Sequence, residues 1–548
     1  MRKSLLFSLL FAAVSMSAAE VDCQWVSPLL PPADGKCQSM GYDIRANEMG
    51  DAFMLAKYGS IDSTDETTFL GETFTGAEYG EGNSYNPNLL FVKVDTLGQP
   101  LWTIHSTEGD FYGGAYCPTH DGGAVLAVKF RHTVKNQQDE VESPYMTLVD
   151  AGGTAYSLSA IYKDVNYYHW TLVRVDASGV ITQMTPVWTS HAVPPKGEKN
   201  ASDVADIAAI VEDEVGDIYL IGGQVMDIAL GTDTVRAREN TEWSGSSVTE
   251  NCNTFVVKTD AAFRYMAHTT TRGGVVCDRL SLADYKDGHI VVAGYAKADS
   301  TAMLQWGEQQ VAVNERCIIT ARVDTALQCS YLVATQQVRI NNMSAMFEQL
   351  VWKDEYLYLS GALMGGLVVK GDTLRGCSDG QGKRNDGMLL QIDAATGVVE
   401  QTALQHGAAL NINIGAVTYK DTVYVLNYQF GSIVLVGYDE HLQACDTAVL
   451  ATGGGMSTAT GIAQWGNHFW VGTRAKGGQE FRIGTATLTP SSLWYATLSG
   501  WTMTSSTSTG VEDMPVVTSE TRKMIVGGRL YIVRDGVRYD VWGRKYPL

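Results

Sequence analysis

The sequence predicts an all-β protein built as a seven-bladed β-propeller of four-stranded antiparallel blades. A short unit, a polar turn followed by β-branched and aromatic residues, recurs seven times, with turns near residues 49, 121, 216, 287, 354, 421 and 466. A second unit, an apolar run usually closed by Asp, follows each of these turns. The pattern shows no break between about residue 38 and residue 502. A unit that returns through most of a chain indicates an array of similar modules.

Both units have the pattern of a β-hairpin. Gly216–Leu220 begins with a turn and continues with residues of high strand propensity, and Val94–Trp102 reads as strand, tight turn and strand. We interpret the recurrent Asp as a turn residue whose carboxylate binds backbone N–H groups. Its copies are Asp95, Asp176, Asp260, Asp324, Asp393 and Asp439, and the seventh copy, Leu493–Leu498, lacks it.

Two hairpins per unit make four antiparallel strands, and seven such sheets are best buried radially in a propeller. A spacing of about 67 residues exceeds the roughly 40 to 45 that a minimal blade needs, so about 20 residues per unit are expected in loops. The alternative, two or three sandwich domains, requires breaks in the pattern at domain boundaries. The uninterrupted pattern favours the propeller.

The first residues have the features of a signal peptide. Arg2 and Lys3 precede an apolar stretch, and Ser17-Ala18-Ala19 is a small-residue cleavage pattern. The predicted organisation is therefore a signal peptide (1–19), an N-terminal segment (20–37), the propeller (38–502), a linker (503–520) and a C-terminal β element (521–548). We expect the mature chain to begin at or near Glu20, secreted or at the cell surface, with the periplasm as the alternative.

All nine cysteines follow the predicted cleavage site, and no C-x-x-C pair occurs. Zinc knuckles and thioredoxin-like chemistry are therefore unsupported. In an oxidising compartment the pairs nearest in sequence are Cys23 with Cys37, Cys252 with Cys277 and Cys317 with Cys329. Buried thiols in a large β core are the alternative, and the connectivity stays open.

The formal net charge of −20 is concentrated in the body of the chain, because the C-terminal element is basic. An acidic body repels phosphate backbones, so we expect no nucleic-acid partner. Solubility of an exported protein accounts for most of this charge without any acidic function.

The third unit carries a family resemblance. Gly216–Gly223, Asp227–Val235 and Phe255–Asp260 resemble the repeat of the seven-bladed bacterial propeller family often called SBBP, with its turn, "F-G-x-D-T-L" strand and "F-V-x-K-L-D" strand. Members of that family are mostly exported or cell-surface proteins without a uniform activity. The resemblance therefore implies a location and a fold rather than a reaction.

The tail carries a second resemblance. Lys523–Lys545, after the Thr/Ser-rich stretch Thr502–Gly510, resembles the C-terminal β element of secreted Bacteroidota proteins that use type IX secretion and outer-membrane attachment. The resemblance implies the secretion and sorting machinery as a partner. From the residues alone, the element reads as a two- or three-stranded meander with a turn at Asp535-Gly536. The alternative is a strand that closes the propeller.

Four long segments are expected on one rim of the propeller: Ser60–Asn88, Arg131–Tyr168, Ser190–Asp203 and Arg236–Asn253. Long loops on one face of a repeat fold are the usual place for function, and aromatic rings suit sugars or peptides. The predicted binding residues are Tyr112, Tyr116, Tyr162, Tyr167, Tyr168, Trp170, Trp188 and Trp243. The alternative is that these rings pack the loops onto the propeller.

No catalytic signature is recognisable. The G-x-S-x-G elbow, H-E-x-x-H, the phosphate-binding loop and the dinucleotide fingerprint are absent from the sequence. The acidic run Glu212–Asp217 resembles a calcium loop, but its hairpin position favours a solvated turn, so we predict no metal and no cofactor. We expect a monomeric module that binds a glycan or a protein; a carbohydrate-active enzyme on the same face is the alternative.

Overall fold

The computed structural model describes a defined part of the chain. Its residues are 19–30, 39–59, 66–75, 88–131, 146–158, 168–189, 205–225, 227–230, 233–237, 252–338, 346–376, 385–406, 411–429, 431–453, 458–476, 478–489, 494–505, 521–526, 529–534, 537–540 and 545–546. The chain divides into two compact units, one of which is Ala18–Thr504, while the other contains the C-terminal tail from Ser505.

The described residues form 45 strands and no helix. Strands β1 to β15 are Ala19–Leu29, Ser39–Ala46, Ala52–Tyr58, Glu66–Phe69, Glu72–Thr75, Asn88–Val94, Pro100–Glu108, Asp110–Pro118, Ala124–Arg131, Met146–Val149, Ala155–Leu158, Tyr168–Val175, Ile181–Thr189, Ala205–Glu212 and Ile218–Gln224. Strands β16 to β30 are Ile228–Leu230, Asp233–Val235, Asn253–Thr259, Tyr265–Thr270, Arg272–Gly273, Cys277–Lys286, His289–Lys297, Ala302–Trp306, Gln309–Val313, Arg316–Asp324, Cys329–Val338, Met346–Lys353, Tyr356–Leu363, Gly366–Val369 and Asp372–Arg375. Strands β31 to β45 are Asp386–Asp393, Val399–Gln405, Asn411–Tyr419, Thr422–Gln429, Ser432–Tyr438, Ala444–Gly453, Thr458–Trp465, His468–Lys476, Phe481–Ile483, Ala486–Leu488, Trp494–Ser505, Thr521–Val526, Arg529–Arg534, Val537–Asp540 and Lys545–Tyr546. In the part of the chain that is described, no helix is long and apolar enough to cross a membrane.

The unit Ala18–Thr504 is a β-propeller. Blades 1 to 6 consist, in order, of β2-β3-β6-β7, β8-β9-β12-β13, β14-β15-β18-β19, β21-β22-β25-β26, β27-β28-β31-β32 and β33-β34-β35-β36. Blade 7 consists of β37-β38-β41 and the N-terminal strand β1. The first strands of neighbouring blades contact each other in order, and the last, β37, contacts the first, β2. The ring is therefore closed.

The predicted fold class is confirmed, although the count of sheets differs from the prediction. Eight sheets have four or more strands, against seven predicted blades. Seven of them form the ring, and the eighth, β42 to β45, belongs to the tail unit. The tail sheet thus has one strand more than the longest meander predicted for it. Its sorting role stays a prediction.

Blade 7 explains why the seventh repeat looks degenerate. Its outermost strand, β1, comes from the start of the chain, so β41 is not followed by a hairpin partner. Because no hairpin turn follows β41, the seventh repeat does not need the Asp that stabilises this turn in the other repeats. The sequence placed the start of the propeller at residue 38, and β1 lies before that boundary.

The middle strands of the blades read as continuous apolar runs because both of their faces are buried between neighbouring blades. β6 and β15 are buried at all of their residues. Between blades 1 and 2 the core is aromatic: Phe91 contacts the rings of Phe53, Trp102 and Tyr116 at centroid distances of 6.0, 5.4 and 5.0 Å. Such pairs stabilise the interface beyond the area that they bury.

The predicted role of the recurrent Asp is confirmed by its hydrogen bonds. In Asp95, Oδ1 accepts the backbone N–H groups of Leu97 and Gln99, each at 2.9 Å. Asp439 accepts those of His441 and Gln443 at 2.9 and 2.8 Å. The carboxylate thus satisfies two turn donors that the hairpin leaves unpaired.

The middle connections, which join the second and third strands, contain hairpins where loops were expected. Together with the links between blades they leave from one rim of the ring, here called the loop rim. Four of these hairpins pair with the outer edge of the preceding blade: β10 with β7, β16 with β13, β29 with β26 and β39 with β36. In blade 4 the hairpin β23-β24 pairs with the short strand β20, and in blade 1 the hairpin β4-β5 forms a single bridge with Leu30, next to β1. The extra residues of blades 2, 3, 5 and 7 therefore cover strand edges, which are otherwise open to pairing with other chains.

Blade 6 is the exception among the middle connections. Its strands β34 and β35 are joined by a tight turn in which Gly431 has a φ of 82°. A left-handed conformation of this kind favours glycine. Blade 5, which precedes it, consequently has no hairpin on β32 among the described residues.

Four cations on third strands connect neighbouring blades. They lie two residues before the turn Asp, and we call Lys93, Arg174, Lys258 and Arg322 the third-strand cations. Each donates a hydrogen bond to a backbone carbonyl of the next blade: Gly122 at 2.9 Å, Ala261 at 3.1 Å, Thr325 at 3.2 Å and Ala394 at 3.3 Å. Lys93 also pairs with Asp51 at 2.9 Å, and Lys258 with Asp217 at 2.9 Å. The basic residue in the strand motif thus has a structural role.

Candidate functional site

Every first strand contains a β-bulge close to the loop rim. The register shifts skip one residue in each of the seven strands: Tyr42, Tyr112, Ala208, Ser281, Glu348, Ile414 and Thr460. Bulges redirect side chains and are frequent next to functional sites. Because first strands surround the central channel of a propeller, these residues form a ring near its mouth.

Polar side chains bridge the channel. The Arg45 guanidinium, on blade 1, donates to the carbonyl of Ile210 on blade 3 at 3.5 Å. Gln349, on blade 5, accepts from the N–H of Ala416 at 2.7 Å and donates to the carbonyl of Ile462 on blade 7 at 3.3 Å. These side chains thus join blades that are not neighbours in the ring, blade 1 to blade 3 and blade 5 to blade 7.

A cationic and aromatic group lies at the mouth, where blades 7, 1 and 2 meet. Lys57 Nζ is 5.4 Å from the centre of the Tyr42 ring, and that ring contacts Phe111 edge-on at 5.6 Å. Tyr112, the bulge residue after Phe111, is 38% exposed. Arg474, on blade 7, interacts electrostatically with both Tyr42 and Lys57. We call Tyr42, Lys57 and Arg474 the mouth cluster.

The electrostatics of the mouth cluster favour an anion. Burial, and then repulsion from Arg474, lower the pKa of Lys57. Burial raises the pKa of Tyr42, and Arg474 opposes that rise. Two positive charges are thus held close together in a partly buried position. A negative group placed between them would remove their repulsion.

Two first-strand carboxyl groups have perturbed acidities. Burial raises the pKa of Glu348, at the bulge of blade 5, to about 7. Burial raises the pKa of Asp284, on blade 4, to about 6, although Arg45 and the N–H of Trp352 oppose the rise. Trp352 N lies 3.1 Å from Asp284 Oδ2. Near neutral pH, Glu348 is therefore able to give or take a proton.

Of the predicted binding residues, Tyr112 lies at the bulge of β8, while two others are buried in the packing. Tyr116 is 1% exposed, and its hydroxyl donates to the carbonyl of Phe53 at 2.8 Å. Trp170 is 7% exposed, and its Nε1 donates to the carbonyl of Ala205 at 3.2 Å. In these positions both rings connect neighbouring blades.

Two further predicted residues lie on strands of blade 2. Tyr168 lies on β12 and Trp188 on β13. Tyr162, Tyr167 and Trp243 lie outside the described residues. Their binding role stays a prediction.

Sequence reasoning missed Tyr42, Lys57, Glu348 and Arg474. The first strands have a weaker apolar pattern than the middle strands, and a bulge has no sequence signature by itself. The one available signal was the repeat: Tyr42 and Tyr112 occupy equivalent positions in consecutive units.

The acidic run Glu212–Asp217 forms a hairpin turn. Asp213 Oδ1 accepts the N–H groups of Val215 and Asp217 at 3.1 and 2.9 Å, and its Oδ2 accepts the Tyr219 hydroxyl at 2.9 Å. These bonds occupy the carboxylate that a calcium ion would need. Within the described ranges, no group of three or more His, Cys, Asp or Glu is arranged to hold a metal.

Comparisons with known proteins do not assign a family. No family model matches the chain. Among curated proteins, hydroxyethylthiazole kinase of Limosilactobacillus fermentum is 32% identical over 88 residues, which are 16% of this chain and 33% of that protein. The chain thus spans about a third of the length of this relative. The resemblance to the bacterial propeller repeat stays a prediction.

Solved structures similar to the chain have low sequence identity. A protein of unknown function from Dyadobacter fermentans is 11% identical, with a TM-score of 0.39 over 88% of this chain and 99% of that chain. The polysaccharide lyase Uly1 is 12% identical, with a TM-score of 0.39 over 84% and 90%. The NanB sialidase of Streptococcus pneumoniae is 9% identical, with a TM-score of 0.31 over 94% and 92%. None of these values supports the transfer of an activity.

Proposed function

We propose that this protein is an exported propeller, displayed at the cell surface, that binds an acidic glycan at the mouth of its channel. The observation that carries the proposal is the pair of cations Lys57 and Arg474 beside the Tyr42 ring. The chain has a net charge of −20, so a partly buried pair of positive charges contrasts with the overall acidity of the protein.

The chemistry of the mouth cluster favours a sugar acid over a neutral sugar. A carboxylate or sulfate between Lys57 and Arg474 would form charge-assisted hydrogen bonds with both side chains. The exposed ring of Tyr112 offers a flat apolar face for a sugar ring. A protein ligand with an acidic side chain uses the same chemistry, and the test below separates the two.

The test is calorimetric titration with oligomers of a uronic acid, with neutral oligosaccharides of the same length and with an acidic peptide. We expect binding of the uronic-acid oligomer that weakens with added salt. Lys57→Ala and Arg474→Ala should each weaken binding roughly tenfold to a hundredfold, the range for a hydrogen bond to a charged group.

Lys420→Ala is the matched control, since Lys420 Nζ lies 5.5 Å from the centre of the Tyr419 ring at a hairpin turn on the opposite rim. This variant should bind like the unmodified protein. Equal binding of neutral and acidic oligosaccharides would contradict the proposal. Tight binding of the acidic peptide alone would favour a protein ligand.

A carbohydrate-active enzyme is the second candidate, and the pKa of Glu348 favours it. An acid with a pKa of about 7 at the bulge of a first strand is suited to general acid or base catalysis. Incubation with acidic polysaccharides, followed by detection of new reducing ends, tests it. Turnover that Glu348→Gln abolishes, with binding retained, would establish the enzyme.

Export is supported by the position of β1. This strand begins at Ala19, at the end of the predicted cleavage pattern, so cleavage before Glu20 leaves all but its first residue. Intact-mass measurement of protein from its native host tests this, and retention of Met1–Ala19 would contradict export. Removal of residues 506–548 should release the protein from the cell surface if the tail has a sorting role.

A further inference from the structure

Cys252 and Cys277 lie next to each other at the junction of blades 3 and 4. Their sulfur atoms are 3.3 Å apart, and both residues are completely buried. Cys252 directly precedes β18 of blade 3, and Cys277 begins β21 of blade 4. A separation of 3.3 Å is shorter than a relaxed contact between two sulfur atoms and close enough for bond formation by small side-chain rotations.

Backbone hydrogen bonds hold the two cysteines in this position. The N–H of Asp278 donates to the carbonyl of Cys252 at 3.0 Å. The Thr254 hydroxyl donates to the carbonyl of Asp278 at 3.2 Å, and the N–H of Thr254 donates to the Asp278 carboxylate at 2.9 Å. These hydrogen bonds already hold the segments around Cys252 and Cys277 together. A covalent bond between the two sulfur atoms therefore requires no rearrangement of the backbone.

We propose that Cys252 and Cys277 form a disulfide bond that connects blade 3 to blade 4 at the loop rim. Two S–H bonds break and one S–S bond forms. The two protons and two electrons pass to the disulfide of a thiol oxidoreductase, which is reduced to a dithiol.

The same surroundings make the bond structural rather than a reversible switch. The hydrogen bond with Cys277 and burial both raise the pKa of Cys252, which disfavours the thiolate needed for exchange. Because neither sulfur is exposed in the folded protein, oxidation is expected while the chain folds, before the junction closes.

Cys317 and Cys329, which are also close in sequence, do not meet in the structure. The expectation that Cys317 and Cys329 pair is wrong for this fold. In the β25-β26 ladder Cys317 lies opposite Gln336, whereas Cys329 lies opposite Val323. The two cysteines are therefore at opposite ends of a hairpin, roughly 20 Å apart at the rise of an extended strand. Cys37 lies outside the described residues, so its pairing with Cys23 stays a prediction.

The test is to refold the reduced full chain in a mixture of reduced and oxidised glutathione. The protein is then denatured, alkylated without reduction and digested with trypsin. The expected product joins peptides 239–258 and 273–279, and its mass is lower than their sum by two hydrogen atoms. Alkylated Cys252 and Cys277 in protein that has refolded to its β structure would overturn the proposal. Peptides that contain Cys317 and Cys329 should be alkylated, as internal controls.

Stability provides a second measurement. Reduction, or Cys252→Ser, should lower the melting temperature by about 3 °C, from the entropy of a loop of roughly 25 residues spread over a unit of this size. Cys317→Ser should change it little by comparison. If Cys252→Ser does not fold, the peptide map of the unmodified chain still decides. An oxidised pair after refolding, with a reduced pair in protein from the native host, would support the bond and contradict export.

Discussion

Replacing Lys93 by Met tests whether the third-strand cations hold neighbouring blades together. The ammonium group of Lys93 lies 2.9 Å from Asp51 Oδ2, 2.9 Å from the carbonyl of Gly122 on blade 2 and 5.5 Å from the centre of the Phe53 ring. Lys93 is 4% exposed. Met preserves most of the apolar volume, so the variant removes the charge rather than the packing.

The expected cost follows from what the substitution leaves behind. The Asp51 carboxylate, only 18% exposed, loses its cation, and the Gly122 carbonyl loses a donor. Removal of one partner of a buried ion pair typically costs about 3 to 5 kcal/mol. A unit of roughly 490 residues has an unfolding entropy of about 1 kcal/mol per degree, so the melting temperature should fall by about 3 to 5 °C.

Differential scanning calorimetry measures the shift, and two further variants define its origin. Lys353→Met is the control, because Lys353 pairs with the adjacent Asp354, whose side chain is 68% exposed, and should cost under about 1 kcal/mol. Lys93→Met combined with Asp51→Asn should recover part of the loss, since no buried charge is left unpaired. If Lys93→Met lowers the melting temperature no more than Lys353→Met does, the third-strand cations do not hold neighbouring blades together.

Three further predictions concern acidity, turns and ring closure. The folded-state pKa of Glu348, about 7, lies above its unfolded value, so the free energy of unfolding should fall as the pH rises from about 4.5 to 7. In Glu348→Gln this fall should be smaller by about 3 kcal/mol. If the melting temperature changes by the same amount between pH 5 and pH 8 in the variant and in the unmodified protein, the prediction is wrong. Asp213→Ala should cost about 2 to 3 kcal/mol, against about 1 kcal/mol for Asp95→Ala, because Asp213 is buried and also accepts a hydrogen bond from the buried Tyr219 hydroxyl, whereas Asp95 is only partly buried; equal denaturation midpoints for the two variants would contradict this. Deletion of Ala19–Leu29 should expose the edge of β41 and make blade 7 the first site of limited proteolysis, and an unchanged digestion pattern would show that β1 is dispensable for closure.

Local features of the fold were predictable because neighbouring residues encode them. Asp95 and Asp439 each accept hydrogen bonds from backbone N–H groups two and four residues ahead. Five consecutive residues therefore determine the turn. The apolar runs of the middle strands follow from burial on both faces. From these repeats alone, the sequence determined an all-β array of hairpins closed by Asp turns, and hence the propeller class.

Only the tertiary structure decided which distant segments meet. The pairing of β1 with β41, the hairpins that cover preceding blades and the convergence of Tyr42, Lys57 and Arg474 at the mouth all join residues from different repeats. The register shift at Glu348 depends on the pairing of its strand with β28. Contacts of this kind arise from packing around a closed ring. The residues of a single strand do not specify which distant strand will lie beside it.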